Sequence, residues 1–73
     1  MGWHDFRSLC EQYGLELQWD IQRRCYKIYM WSWKKPYLGI RPLGYVTVDQ
    51  LQNWGVDRIE ELVVSCSIDA LTE

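Results

Sequence analysis

Apolar residues recur along the first dozen positions at helical spacing. Phe6, Leu9, Cys10 and Tyr13 fall at i, i+3, i+4 and i+7, with Trp3 one turn earlier, which predicts a helix over residues 3–13. Gly14 follows, where a left-handed C-terminal cap belongs. The period then changes to two. Leu15, Leu17, Trp19 and Ile21 alternate with Glu16, Gln18 and Asp20, so residues 15–21 read as a half-buried strand. Residues 25–33 read as a second strand, apolar on both faces. Tyr26, Ile28 and Met30 form one face; Cys25, Tyr29, Trp31 and Trp33, with Lys27, form the other.

Pairing parity decides which face is core. A tight turn at Arg23-Arg24 sets Ile21 against Tyr26, Trp19 against Ile28 and Leu17 against Met30. It also sets Asp20 opposite Lys27 on the outer face, a favourable cross-strand pair. A one-residue slip would place Asp20 against an apolar residue. Arg-Arg is not a favoured primed-turn pair, and a four-residue loop over residues 22–25 keeps the same register. Trp19, Ile28 and Met30 are therefore expected in the core.

Lys34-Lys35-Pro36 predicts a turn into a third strand over residues 37–41. Met30 then faces Ile40 on the core side, while Trp33 faces Tyr37 and Tyr29 faces Arg41 outside. Pro42, unable to donate to a ladder, ends that strand. Thr47-Val48-Asp49-Gln50 has the form of a capping box. Asn53-Trp54-Gly55 interrupts this short helix. Asp57-Arg58-Ile59-Glu60 then caps a longer one, striped by Ile59, Leu62, Val63, Cys66 and Ala70. The expected fold is a single α+β domain over residues 1–73. An N-terminal helix precedes a three-stranded antiparallel sheet, then a short and a longer C-terminal helix, all packed on one sheet face.

The order helix, three strands, helix is similar to that of double-stranded RNA-binding domains. Cys10-Glu11-Gln12-Tyr13-Gly14-Leu15-Glu16-Leu17 resembles the end of that family's first helix, within residues 6–21. That family's last helix begins lysine-rich, whereas residues 47–62 here are acidic. The loop after the first strand pair also lacks the family's histidine. The resemblance implies a fold, and the family's function is not carried over.

Charge sharpens the picture. Arg23, Arg24, Lys27, Lys34, Lys35 and Arg41 all lie in residues 21–48, a stretch with no acidic residue. Tyr26, Tyr29, Trp31, Trp33, Tyr37 and Tyr45 share it. The candidate partner-binding surface is the outer sheet face, with Tyr29, Trp31, Trp33 and Tyr37 ringed by Lys27, Lys34, Lys35 and Arg41. Trp, Tyr and Arg are enriched in protein hot spots, and aromatics flanked by cations also stack bases. If the chain's own segments fold over this face, the same aromatics are simply core. Asp57, Glu60 and Glu61 form a secondary acidic surface able to mimic nucleic-acid charge against a basic partner. Leu51, Trp54, Gly55, Val56 and Ile59 resemble a helix-turn-helix spacing. Its second helix carries Asp57, Glu60, Glu61 and Asp69 against Arg58, so phosphates would repel it.

Catalytic patterns are absent from the sequence. His4 is the lone histidine, six residues from Cys10 and on a different side of the helix. Cys10, Cys25 and Cys66 lack the close spacing of zinc ligands and are odd in number, so three free thiols are expected. No catalytic residue, cofactor or metal is expected. Nothing approaches a membrane span or a signal peptide, which predicts a cytoplasmic chain. The expected function is a small non-enzymatic protein-binding module, of the kind found among phage-encoded inhibitors of host enzymes or defence complexes. Nucleic-acid binding by the aromatic–basic face is the alternative, and a homodimer through the sheet is a third outcome.

Overall fold

Gly14 turns the chain from helix to strand. The computed structural model describes residues 1–72, so Glu73 of the expected domain lies outside the described residues. Helix α1 spans Trp3–Gln12, and Gly14 follows with φ 71°, its N–H donating to the Glu11 carbonyl at 3.1 Å. That left-handed step is open to glycine at no steric cost. The chain enters β1 (Leu15–Asp20) at once, then β2 (Cys25–Met30) and β3 (Gly44–Thr47), followed by α2 (Val48–Asn53) and α3 (Val56–Thr72). The sheet is antiparallel in the order β1-β2-β3. Element order and class are those the sequence predicts.

The core lies between the sheet and the helices. Phe6 and Cys10 of α1 meet Leu15, Ile28 and Val46 of the sheet, and Leu51, Ile59, Val63 and Cys66 of the last two helices. Phe6, Ile28, Val46, Ile59 and Val63 are fully buried. The stripe predicted for the last helix is the buried one, with Ala70 at its far end. Gly44 is required by this packing: a Cβ there would lie 2.7 Å from Cys66 Sγ. All three cysteines are free and buried. Burial, with nearby Cys66 and Glu11 adding to it, pushes the Cys10 thiol up to about 12. Burial likewise raises Cys66 to about 11.

Two strand details correct the sequence reading. Trp19 faces Tyr26 and Leu17 faces Ile28, a two-residue shift from the expected register. The cause is the turn. Asp20 Oδ1 accepts the N–H groups of Gln22 and Arg23 at 3.1 and 3.2 Å, ending the strand, and Arg24 closes a four-residue loop with φ 51°. A shift of two preserves parity, so every side chain keeps its face. Asp20 and Lys27 become diagonal neighbours on one face, Oδ2 to Nζ 4.0 Å, rather than direct partners. Trp19 remains 43% exposed at the sheet edge, contrary to expectation.

The third strand is not 37–41. Strand β2 ends at Met30, and residues 31–43 form a connection before β3 begins at Gly44. Tyr37 leaves strand geometry because its ring lies flat on Tyr29 and its hydroxyl reaches Glu16. The residue pairing with the middle of β2 is then Val46, not Ile40. Helix α3 also starts at Val56, before the expected Asp57 cap: the Gly55 carbonyl accepts from Arg58 and Ile59 at 3.1 and 3.2 Å. The capping box of α2 is present, with Gln50 N–H to Thr47 Oγ1 at 3.0 Å and Thr47 N–H to Gln50 Oε1 at 2.9 Å.

Candidate functional site

Strand alternation sends Glu16, Gln18, Asp20, Cys25, Lys27 and Tyr29 to the face opposite the helices. The connection 31–43 folds back over the upper half of that face. Tyr37 stacks on Tyr29 with ring centroids 4.0 Å apart and 10° between planes, and Trp33 meets Tyr29 edge-on at 6.2 Å. Tyr29 is left 2% exposed, and Tyr37 is also buried. The aromatic face anticipated from the sequence is thus partly closed by the chain itself.

Glu16 anchors this cover. Its carboxylate accepts from the Tyr37 hydroxyl and pairs with Lys35. Partial burial alone would raise the Glu16 carboxyl, but the Lys35 and Tyr37 hydrogen bonds prevail and hold it below its ordinary value. The same contact works oppositely on Tyr37: burial, then the bond to the Glu16 carboxylate, pushes its hydroxyl up to about 12.

The eight residues expected at the surface therefore divide. Tyr29 and Tyr37 are internal, and Trp33 is half-buried between them and solvent. Lys27 sits mid-sheet beside Asp20, and Lys35 is tied to Glu16. Lys34 and Arg41 are exposed on the connection. Trp31 is 69% exposed. Arg23 and Arg24 lie at the far end of β2, on the hairpin turn, so the basic residues do not form one patch. Asp57, Glu60 and Glu61 are exposed together on α3, beside Val64 and Ile68.

The sequence missed a second gathering of aromatics. Trp31 N–H donates to the Gly14 carbonyl at 2.9 Å, which sets Trp31 at the start of β1. Trp19 stands at the strand's other end, against Tyr26 at 4.8 Å, and Trp3 of α1 stacks on Tyr26 at 4.6 Å. Between α1 and the outer edge of β1 runs a groove of about 420 Å³, bordered by Trp3, Arg7, Trp19, Trp31 and Lys35. The signal lay in β1 being an edge strand, which follows from strand order rather than from periodicity.

Among the described residues, no group of three or more His, Cys, Asp or Glu is placed to hold a metal ion. Among them no helix is long and apolar enough to cross a membrane. Comparison with known proteins finds no matching family model, no matching curated protein and no matching solved structure.

Proposed function

We propose that this chain is a small non-enzymatic protein-binding module, engaging its partner at the β1 side of the sheet. The observation that carries the reading is the exposure of Trp31 and Trp19, 69% and 43%, at the two ends of one groove. Large aromatics left in water beside a shaped depression are the usual anchors of a protein interface. Lys35 and Arg7, which border the groove with Trp31, supply its polar rim. Binding without chemistry is what an inhibitor or regulator of a larger complex requires, and a phage-type inhibitor of a host enzyme or defence complex is the kind of role this suits.

The test is a pull-down from host lysate with wild type and Trp31→Ala, each with and without nuclease. Truncating an anchor costs roughly 2–4 kcal/mol of affinity, so capture drops about 30-fold or more while the melting temperature holds. Retention of the partner by Trp31→Ala overturns the reading. Loss of all capture on nuclease treatment would assign the surface to nucleic acid instead.

A further inference from the structure

We propose that the outer edge of β1 takes up an extended, uncharged segment of the partner protein as a fourth strand; this rests on the protein-binding reading above. The ladder identifies the guest. The Trp31–Gly14 hydrogen bond lies in register with the β1–β2 pairing. Bonded pairs alternate along an antiparallel ladder, so Glu16 and Gln18 direct their N–H and C=O groups to β2. Leu15, Leu17 and Trp19 direct theirs to the open side. This row of donors and acceptors, spaced roughly 7 Å apart, is the complement of another extended backbone.

Nothing in β1 blunts this edge. It runs six residues with unbroken pairing to β2, and holds neither proline nor glycine. Its charged side chains, Glu16 and Asp20, project to the sheet face away from the helices rather than across the edge. Natural sheets usually protect such edges with short strands, bulges, prolines or inward charges. The groove beside it is also electrically settled. Arg7 pairs with Glu11 at 3.2 Å, and Lys35 pairs with Glu16. The charges bordering the groove are thus already paired, so it offers a charged guest no unmatched partner, whereas a neutral guest leaves both pairs intact. A second copy of this chain fits less well. Antiparallel self-pairing centred on Leu17 would bring two Glu16 side chains diagonally across the seam on one face.

The test uses a panel of uncharged eight-residue peptides alternating Val, Thr and Tyr, titrated into the isotope-labelled chain and followed by NMR. The expected result is slowed exchange of the Leu17 and Trp19 amides by about tenfold or more, with Glu16 and Gln18 amides, already bonded to β2, unchanged. N-methylating the peptide on alternate residues should abolish binding for one set of positions and spare the other. Equal binding by both methylated sets, or no binding at millimolar peptide, overturns the proposal. So does concentration-dependent dimerisation that protects the same amides. If Trp31→Ala loses the lysate partner while partner binding leaves the edge amides exchanging freely, strand addition fails and the protein-binding reading stands. If Trp31→Ala keeps the partner, that reading itself has failed.

Discussion

The two edges of the sheet are built differently. Strand β3 spans four residues, and Pro42 lies just before it. Val48 N–H bonds to the Arg24 carbonyl at 3.3 Å, so alternation turns Tyr45 and Thr47 outward. The Thr47 N–H is then taken by Gln50 Oε1 in the capping box. One side chain thus serves both to start α2 and to occupy one of the two outward-facing N–H groups of a short edge. Strand β1 has six residues, three of them facing out, and no such device. An edge can be closed by purely local chemistry; leaving it open beside exposed tryptophans is a different choice with a different use.

The largest expected effect comes from the strand both edges share. Ile28→Ala empties the centre of the core and should cost roughly 2–5 kcal/mol, enough to unfold a domain this small. Denaturant titration checks it, and an unchanged midpoint would break the two-layer arrangement. Next comes the β3 side alone. Gly44→Ala pushes a methyl toward Cys66 and should cost about 1–3 kcal/mol, relieved in part by Cys66→Ala in a double-mutant cycle. Smaller still, Thr47→Ala should cost about 1 kcal/mol through the lost cap. Gln50→Ala, by contrast, should speed exchange of the Thr47 amide and make the β3 edge resemble that of β1.

The β1 side has a pH signature. The Glu16 carboxyl is depressed in the fold, so its contribution is complete above its ordinary value of 4.5 and is lost as pH falls through the folded value. Tyr37 is raised from 10.0 to about 12, so its contribution is complete below pH 10 and is lost on approach to 12. The cover over Tyr29 is therefore expected to hold between these limits. Tyrosine and tryptophan fluorescence against pH should report its release on both sides, and Glu16→Gln should abolish the acid arm. The smallest effect is Lys27→Gln, which removes the charge beside Asp20 but leaves the turn bonds of Asp20 intact, and is expected to shift stability by less than about 1 kcal/mol.

Local grammar made most of the fold legible. Gly14 as a cap, the Thr47–Gln50 box, the alternation of β1 and the Ile59–Ala70 stripe each depend on neighbours within a few residues, and each is found in place. What failed depended on distant partners. Tyr37–Arg41 has strand-like composition, but Glu16, far away in sequence, draws Tyr37 out of any ladder. Asp20 is the exception, a local one: the sequence suggests a charge partner for Lys27, whereas its carboxylate accepts two turn amides two and three residues on. The candidate surface suffered most. Periodicity placed Tyr29 on the outer face, but Trp31, Trp33 and Tyr37 lie in the connection 31–43, and where that connection folds is encoded by no alternation pattern.

The stack of Tyr37 on Tyr29 makes the chain its own competitor. Tyr37 already occupies the flat position a nucleobase would take, and its hydroxyl is already satisfied by Glu16. Any stacking guest must evict it first. Its apparent dissociation constant is then the intrinsic one divided by the fraction of molecules with the connection lifted. A Tyr37→Ala chain, with that resident removed, would expose whatever stacking capacity Tyr29 and Trp33 keep in reserve.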